Sequence, residues 1–295
     1  MKILLTGATG FVGQEVLRTL LKVNHEVRAL IHNQSKIKQV TGAEVHIGDT
    51  TRPESLTEAL AGCDAVIHLV GIIREYPHRG ITFQKLHTES TRNMLETAKD
   101  QGVTRFLHMS ANGTRADAVT NYHKTKWAAE QLVRQSGLDW TIFRPSLIYG
   151  PSDQFINMLA ALIRKLPVVP VIGDGKYRLQ PVSVKDVATG FVRALDCPES
   201  IGQAYHCGGP QVYSYDELLD LVGVAMGKKK VYKLHQPLAM MKPVVALLQS
   251  IPQFPMTSDQ LQMLLEENIC EQGDWEKTFA IKLQKLPEGI SEYVN

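Results

Sequence analysis

The chain begins MKILLTGATGFVG, and these thirteen residues restrict its possible folds more than any other stretch. Ile3, Leu4 and Leu5 form a short apolar run that leads directly into glycines at Gly7, Gly10 and Gly13. Val12, Val16, Leu17 and Leu20 then recur at helical spacing. A strand that ends in spaced glycines and opens a helix is a phosphate-binding turn. The first glycine permits the tight turn, the second lets backbone approach a pyrophosphate, and the third lets the helix pack close to its strand. The helix N-terminus adds unpaired N–H groups and the positive end of the macrodipole. The spacing therefore predicts a dinucleotide site built from Gly7, Thr9, Gly10, Phe11, Val12 and Gly13.

Strand and helix patterns continue to alternate. Glu26 to Ile31 reads as a second strand, followed by His32, Asn33, Gln34, Ser35 and Lys36. An acidic residue about 20 positions past the glycines would take the ribose 2′-OH of NAD and repel the 2′-phosphate of NADP. None stands there, and His32, Asn33 and Lys36 suit a phosphate, so NADP is expected in preference to NAD; a plain polar loop is the other reading. Val45 to Ile47 is a short third strand closed by Gly48, Asp49 and Thr50. Thr51-Arg52-Pro53-Glu54 has capping-box spacing and predicts a helix start. Asp64 to Gly71 is an apolar fourth strand, which adds Leu69, Val70 and Gly71 to the expected cofactor contacts. The loop Ile72 to Ile81 carries Arg74, Glu75, Tyr76, His78 and Arg79, as a substrate-facing or simply solvated loop. A helix from about Phe83 to Gln101 and a fifth strand, Val103 to Ser110, follow. This alternation predicts right-handed βαβ units and a parallel sheet.

Tyr122 and Lys126 are four residues apart, which places them on one helix face, one turn apart. A phenol with pKa near ~10 is a poor acid or base at neutral pH, and a neighbouring ammonium lowers that value by stabilising phenolate. The same lysine can hold a ribose. Alone, such a pair occurs by chance in many helices.

Together with TGATGFVG, the pair resembles the short-chain dehydrogenase/reductase superfamily, in its extended and atypical branches. Gly48-Asp49, His68-Leu69-Val70-Gly71, Arg144-Pro145-Ser146-Leu147-Ile148-Tyr149-Gly150-Pro151 and Gln180-Pro181-Val182-Ser183-Val184-Lys185-Asp186-Val187 agree with it, across roughly residues 1 to 225. HMSANG, SGLDWTIFRPSLIYGPSDQF and QPVSVKDVA look like the atypical group around the NADPH-binding accessory subunit of respiratory complex I. The resemblance implies a Rossmann-type doubly wound parallel sheet with a smaller, interleaved C-terminal substrate domain. The Rossmann domain would span 1–150, joined by strands near 176–184 and 202–208, and the substrate region 151–295. It implies Tyr122 as acid/base, Lys126 as its partner, and Asp49, Thr50, Ser110 and Pro145 beside the cofactor. Matched to the family's strand-five Ser-Ser pair, Ser110 takes the first place and Ala111 the catalytic one, so the triad is expected to be incomplete and hydride transfer to a carbonyl or quinone-like substrate slow. Ser110 would substitute only at a bulged strand end. His87 stands where the family's relay asparagine is expected, or is a buried structural histidine. A nucleotide-sugar epimerase or dehydratase, and a non-catalytic NADPH-stabilised assembly or sensor protein, are the other functions consistent with the pattern.

At 295 residues, with 32 basic against 30 acidic side chains, the chain suits about two domains and no nucleic-acid partner. Cys63, Cys197, Cys207 and Cys270 lack metal-ligand spacing, no metal site is expected, and a reducing, cytoplasmic setting fits best. The first residues lack the h-region of a secretory leader. Pro237 to Pro255 is apolar nearly all round; a packed lid over the second domain is expected, with a peripheral membrane or protein contact through 237–255 as the other reading.

Overall fold

The computed structural model describes residues 1–249, 251, 256–270 and 275–294. It divides into two compact units: Met1–Pro145 with Val184–Cys207 and Gln272–Lys282, and Ser146–Ser183 with Gly208–Glu271 and Leu283–Asn295. The main strands are β1 (Lys2–Thr6), β2 (Glu26–Ile31), β3 (Glu44–Ile47), β4 (Ala65–His68), β5 (Arg105–Met109) and β6 (Asp139–Pro145). The main helices are α1 (Phe11–Lys22), α2 (Thr57–Leu60), α3 (Ser90–Asp100), α4 (Asn121–Arg134), α5 (Phe155–Lys165), α6 (Val184–Ala194), α7 (Tyr215–Ala225) and α8 (Leu238–Leu248).

The first unit is built on a seven-stranded parallel sheet in the order Gln203–Cys207, β6, β5, β4, β1, β2, β3, the expected Rossmann-type doubly wound arrangement. The strand order reverses between β1 and β4, where such sheets bind ligands at their carboxyl ends. Side chains alternate between the two faces. Leu4, Val66, Phe106 and Ile142 pack with Met94, Leu95 and Ala98 of α3 and Val133 of α4. On the opposite face Phe143 meets Phe191 of α6 with ring centres 4.3 Å apart. Gly190 permits this approach, since a Cβ there would lie 3.1 Å from Trp275 and 3.2 Å from Phe143. Arg105 shares that second face and donates to Asp139 O, Thr141 Oγ1, Ala194 O and Ser200 Oγ, which satisfies a guanidinium that is 7% exposed.

Several sequence expectations need correction. The helix expected at Thr51 starts later: Pro53–Ser55 is a 3₁₀ turn capped by Arg52, and α2 is four residues long. The Thr51 hydroxyl donates to Asp49 Oδ1, and no side-chain cap hydrogen bond forms at the start of the turn. The strands expected near 176–184 do not join the main sheet. Arg178–Leu179 pairs with Tyr213–Ser214, and Val182–Ser183 with Ile148–Tyr149; each is two residues long, and Pro181 between them lacks the N–H a ladder needs. The helix before α3 opens with a π-helical turn, Gln84–Glu89, in which Ser90 N–H reaches back to Lys85 O.

The second unit has its own core, in which Ile156 and Leu159 of α5 meet Leu218, Leu219 and Val222 of α7 together with Leu286 and Ile290. The capping box Ser214/Glu217 opens α7 as expected. The expected lid is only half realised. On α8, Val245 is 1% exposed, whereas Met240 is 67% and Leu247 79% exposed. A helix apolar all round with neighbours on one side leaves its other face in solvent. Residues 250 and 252–255 of that segment lie outside the described residues. Among the described residues no helix is long and apolar enough to cross a membrane.

Candidate functional site

The glycine turn closes on itself at the end of β1. Gly7 has φ +73°, Gly10 N–H donates to Gly7 O at 2.9 Å, and a Cβ on Gly13 would lie 2.0 Å from that same oxygen. No side chain fits at Gly13. A Cβ on Gly7 would lie 3.1 Å from the Leu69 carbonyl carbon, so the turn rests against the end of β4. Gly10 is the N-cap of α1, without a side-chain cap and with no acidic residue in the first turn; Thr9 and Phe11 flank it half-buried and Val12 is buried beneath. Exposed backbone donors at the start of a twelve-residue helix fit a pyrophosphate.

At the ends of β2 and β3, His32 and Lys36 are exposed, and Asn33 accepts from Ser35 N and Oγ. The carboxylate that β2 lacks comes from its neighbour: Asp49 Oδ2 lies 3.3 Å from His32 Nδ1, while Asp49 Oδ1 accepts from Thr51 N. The Thr50 carbonyl accepts from Asn93 Nδ2, which ties this corner to α3.

Tyr122 and Lys126 lie on α4, which Thr120 caps by accepting from His123 N. Lys126 Nζ donates to Met109 O at 2.9 Å, and a Cβ on Gly71 would stand 3.0 Å from Nζ and 3.6 Å from His87 Nε2. The ends of β4 and β5 thus converge on one ammonium. Burial lowers its pKa to about 8, with Glu130 opposing the fall. Tyr122 departs from expectation. Phe83, His87 and His123 enclose its ring edge-on at 5.6, 5.3 and 5.2 Å, and burial pushes the phenol up to about 12 rather than down. Desolvation disfavours phenolate, and one of the three Lys126 donors is engaged by a carbonyl oxygen. His87 is a neutral, satisfied imidazole: Nδ1 bonds Thr125 Oγ1 at 2.9 Å, Nε2 bonds the Ile72 backbone, and burial first, then Lys126, push it down to about 2.

Sequence reasoning passed over two more buried imidazoles, whose signal was a histidine at the apolar end of each of two adjacent strands. His68 bonds Thr6 Oγ1 and Ser90 Oγ and is pushed down to about 3, by burial and then Lys126. His108 stacks on His68 at 5.7 Å.

The end of β5 shows which face of the sheet each of the two strand-five positions takes. Ser110 N–H donates to Phe143 O and Asn112 N–H to Pro145 O, so regular ladder spacing runs past Met109 without a bulge. Ser110 therefore shares a face with Phe106 and His108, the face covered by α3 and α4, while Ala111 takes the opposite face with Arg105. Ser110 Oγ is 3.4 Å from Thr114 Oγ1. One strand further, Arg144 makes a two-pronged pair with Glu130 of α4 at 2.8 and 2.5 Å, and Glu130 is fully buried.

The profile of the NAD dependent epimerase/dehydratase family matches residues 3–208. The chain is 30% identical over 292 residues to NADH dehydrogenase (ubiquinone) 1 alpha subcomplex subunit 9, mitochondrial, of Arabidopsis thaliana, covering 95% of this chain and 72% of that one. It is 30% identical over 196 residues to the ceramide reductase of Caulobacter vibrioides, covering 66% and 61%, and 27% identical over 233 residues to the NAD(P)H azoreductase of Xenophilus azovorans, covering 78% and 76%. Among solved structures, gox2253 matches with TM-score 0.77 at 26% identity, over 99% of this chain and 96% of that one. The triphenylmethane reductase of a Citrobacter species matches in fold, with TM-score 0.78 at 21% identity over 100% and 99%.

Proposed function

This chain belongs to the NAD dependent epimerase/dehydratase family, a family of NAD(P)-dependent oxidoreductases, and from that premise we propose an NADP(H)-dependent reductase acting on a carbonyl or quinone-like substrate. The observation that carries the reading is the pair on α4: a buried phenol that keeps its proton and, one turn on, a lysine fastened to Met109 O. A phenol pushed up to about 12 keeps its proton throughout the neutral range but is a weak acid there, so its transfer depends on the negative charge that the hydride brings to the substrate oxygen. A bound reduced nicotinamide would supply the hydride. Tyr122 gives its proton to the substrate oxygen and regains one from solvent. Ser110, which the regular strand end puts on the α4 face of the sheet, is taken here as the second donor to that oxygen in place of a residue at 111, where the alanine offers none. Lys126 takes the ribose hydroxyls. The glycine turn with Thr9, Phe11 and Val12 holds the pyrophosphate, Leu69, Val70, Gly71 and Pro145 line the ring and ribose, and Thr50 fixes the corner beneath. His32 and Lys36 with Asn33 face the 2′-phosphate, against the repulsion of the Asp49 carboxylate 3.3 Å from His32.

NADPH oxidation measured over a panel of aldehydes, ketones and quinones tests this. On any substrate turned over, Tyr122→Phe is expected to abolish activity while leaving NADPH affinity nearly unchanged; a silent Tyr122→Phe sinks the assignment. A second reading, a cofactor-stabilised component of a protein assembly, is favoured by the named complex I relative that aligns over 95% of this chain and by the exposed apolar side of α8. It becomes the better account if no substrate turns over while NADPH raises the melting temperature. A sugar nucleotide copurifying with the native protein, seen by mass spectrometry, would instead support an epimerase or dehydratase.

A further inference from the structure

The second unit carries an exposed apolar surface inside a stretch whose charges are all of one sign. Residues 221–258 hold five lysines, no arginine and no carboxylate. Within that stretch α8 has two apolar stripes at helical spacing. Leu238, Met241, Val245 and Leu248 form the inner one, where Met241 and Val245 line a common hollow with Pro170, Ile172 and Gln236. Met240, Val244 and Leu247 form the outer one, all exposed, and an exposed Ile251 follows the helix at the same spacing. The apolar surface continues beyond the helix. Val169–Ile172 and Lys233–Gln236 are parallel strands that set Leu234 opposite Pro170 and Gln236 opposite Ile172, so Leu234 shares the face on which α8 lies. Leu234 is 57% exposed; Tyr232, just before its strand, is 59% exposed, with Lys230 Nζ 5.2 Å from its ring centre.

We propose that this surface seats the protein on a lipid bilayer rich in anionic headgroups, with the outer stripe of α8 among the upper acyl carbons and exposed lysines at the headgroup phosphates. The inference stands apart from the redox reading, because every residue it uses belongs to the second unit. Several observations favour lipid over a protein partner. The outer stripe offers no hydrogen-bonding side chain, which suits hydrocarbon. Every cation of the stretch is lysine, the residue depleted in protein–protein interfaces, where arginine is enriched. Lysine stems lie along apolar surface while the ammonium stays in water. Tyr232, with an apolar ring and a polar tip, is of the residue type that collects at membrane–water boundaries. Lys233 is paired with Asp220, which leaves the exposed run Lys228, Lys229 and Lys230 to meet the headgroups. Attachment of this kind sums buried apolar area and attraction to anionic lipid.

The full chain is mixed with vesicles of phosphatidylcholine alone, or of equal parts phosphatidylcholine and phosphatidylglycerol, and the bound fraction is read by cosedimentation. Binding to the mixed vesicles is expected to be about tenfold tighter than to the neutral ones, or more, and to fall as salt is raised. Lys228→Gln, Lys229→Gln and Lys230→Gln together should erase that preference, since each lysine near an anionic surface contributes about fivefold. Met240→Ser with Leu247→Ser keeps the charge and alters only exposed side chains. It should weaken binding to the mixed vesicles by about tenfold and leave the melting temperature unchanged. The proposal is overturned if the chain stays in the supernatant with both vesicle types, if the serine pair binds as well as the parent, or if the glutamine changes leave the preference intact. A parent that ignores vesicles but forms dimers that the serine pair dissociates, seen by analytical ultracentrifugation, would overturn it in favour of a second copy of the chain.

Discussion

The buried ammonium of Lys126 makes the stability of the first unit depend on pH in a direction that can be worked out. The residue is 2% exposed, and burial takes its pKa from an ordinary 10.5 to about 8. A fall of that size corresponds to ~3 kcal/mol. Below pH 8 the folded and unfolded chains both carry the proton, and the folded state bears the whole cost of the buried charge. Between pH 8 and 10.5 the unfolded chain binds a proton that the folded chain does not, so the unfolding free energy rises with pH; above 10.5 the cost is gone. Lys126→Met removes the charge but also the hydrogen bond to Met109 O, which is worth ~1 kcal/mol. The variant is therefore expected to be more stable than its parent by ~2 kcal/mol at pH 7, and less stable by ~1 kcal/mol near pH 10.5. Urea unfolding of both proteins at half-unit intervals from pH 6.5 to 10.5 measures this, and subtraction cancels the titrating groups that Lys126 does not influence. A difference that does not change with pH, or that favours the parent at pH 7, would refute the argument.

Three further outcomes follow from the site. His32→Asp, which sets a carboxylate beside the expected 2′-phosphate and next to Asp49, should reverse an NADPH preference; calorimetric titration with both nucleotides decides it, and tighter NADH binding by the parent counts against the NADP reading. Ser110→Ala should lower turnover by ~10²–10³, the usual effect of losing an oriented donor, whereas Ala111→Ser should change it little; the opposite ranking would return the catalytic position to residue 111. Glu130→Gln leaves the Arg144 guanidinium without its buried counter-charge and should cost ~3 kcal/mol in urea unfolding, with a loss below ~1 kcal/mol showing that the pair is dispensable.

The sequence announced the glycine turn, the alternation of strands with helices and the pairing of Tyr122 with Lys126 because each depends on residues close together in the chain. Gly13 must be glycine for reasons confined to residues 7 to 13, and Ile3, Leu4 and Leu5 of β1 form an unbroken apolar run because both faces of the strand are covered. What stayed hidden depends on partners far away. The rise in the Tyr122 pKa comes from Phe83 and His87, nearly forty residues earlier, and Lys126 is fastened to a backbone carbonyl, an acceptor every residue carries. Counting along strand five left a one-residue ambiguity between Ser110 and Ala111; two ladder hydrogen bonds to β6 resolve which face each takes. Thr51 fits the capping-box pattern, yet the turn starts two residues later, with Arg52 at its N-cap and no side-chain cap hydrogen bond. The end of β2 looked free of carboxylates because the nearest one belongs to the next strand.

The wide turn at Gln84–Glu89 bears on how this helix can change by insertion and deletion. An α-helix advances by about 100° per residue, and a π-helical turn accommodates one residue more than the regular spiral, so the segment before it and α3 after it are held in different helical phase. Excising one residue between 84 and 89 would let the spiral close into ordinary α-helix, with better local hydrogen bonding. It would also swing the His87 ring about 100° around the axis, away from Thr125 and Ile72, and strip one wall from Tyr122. The extra residue thus sets the angle from which an imidazole meets the phenol, and a shortened helix that folds more readily would be one in which Tyr122 has lost its enclosure.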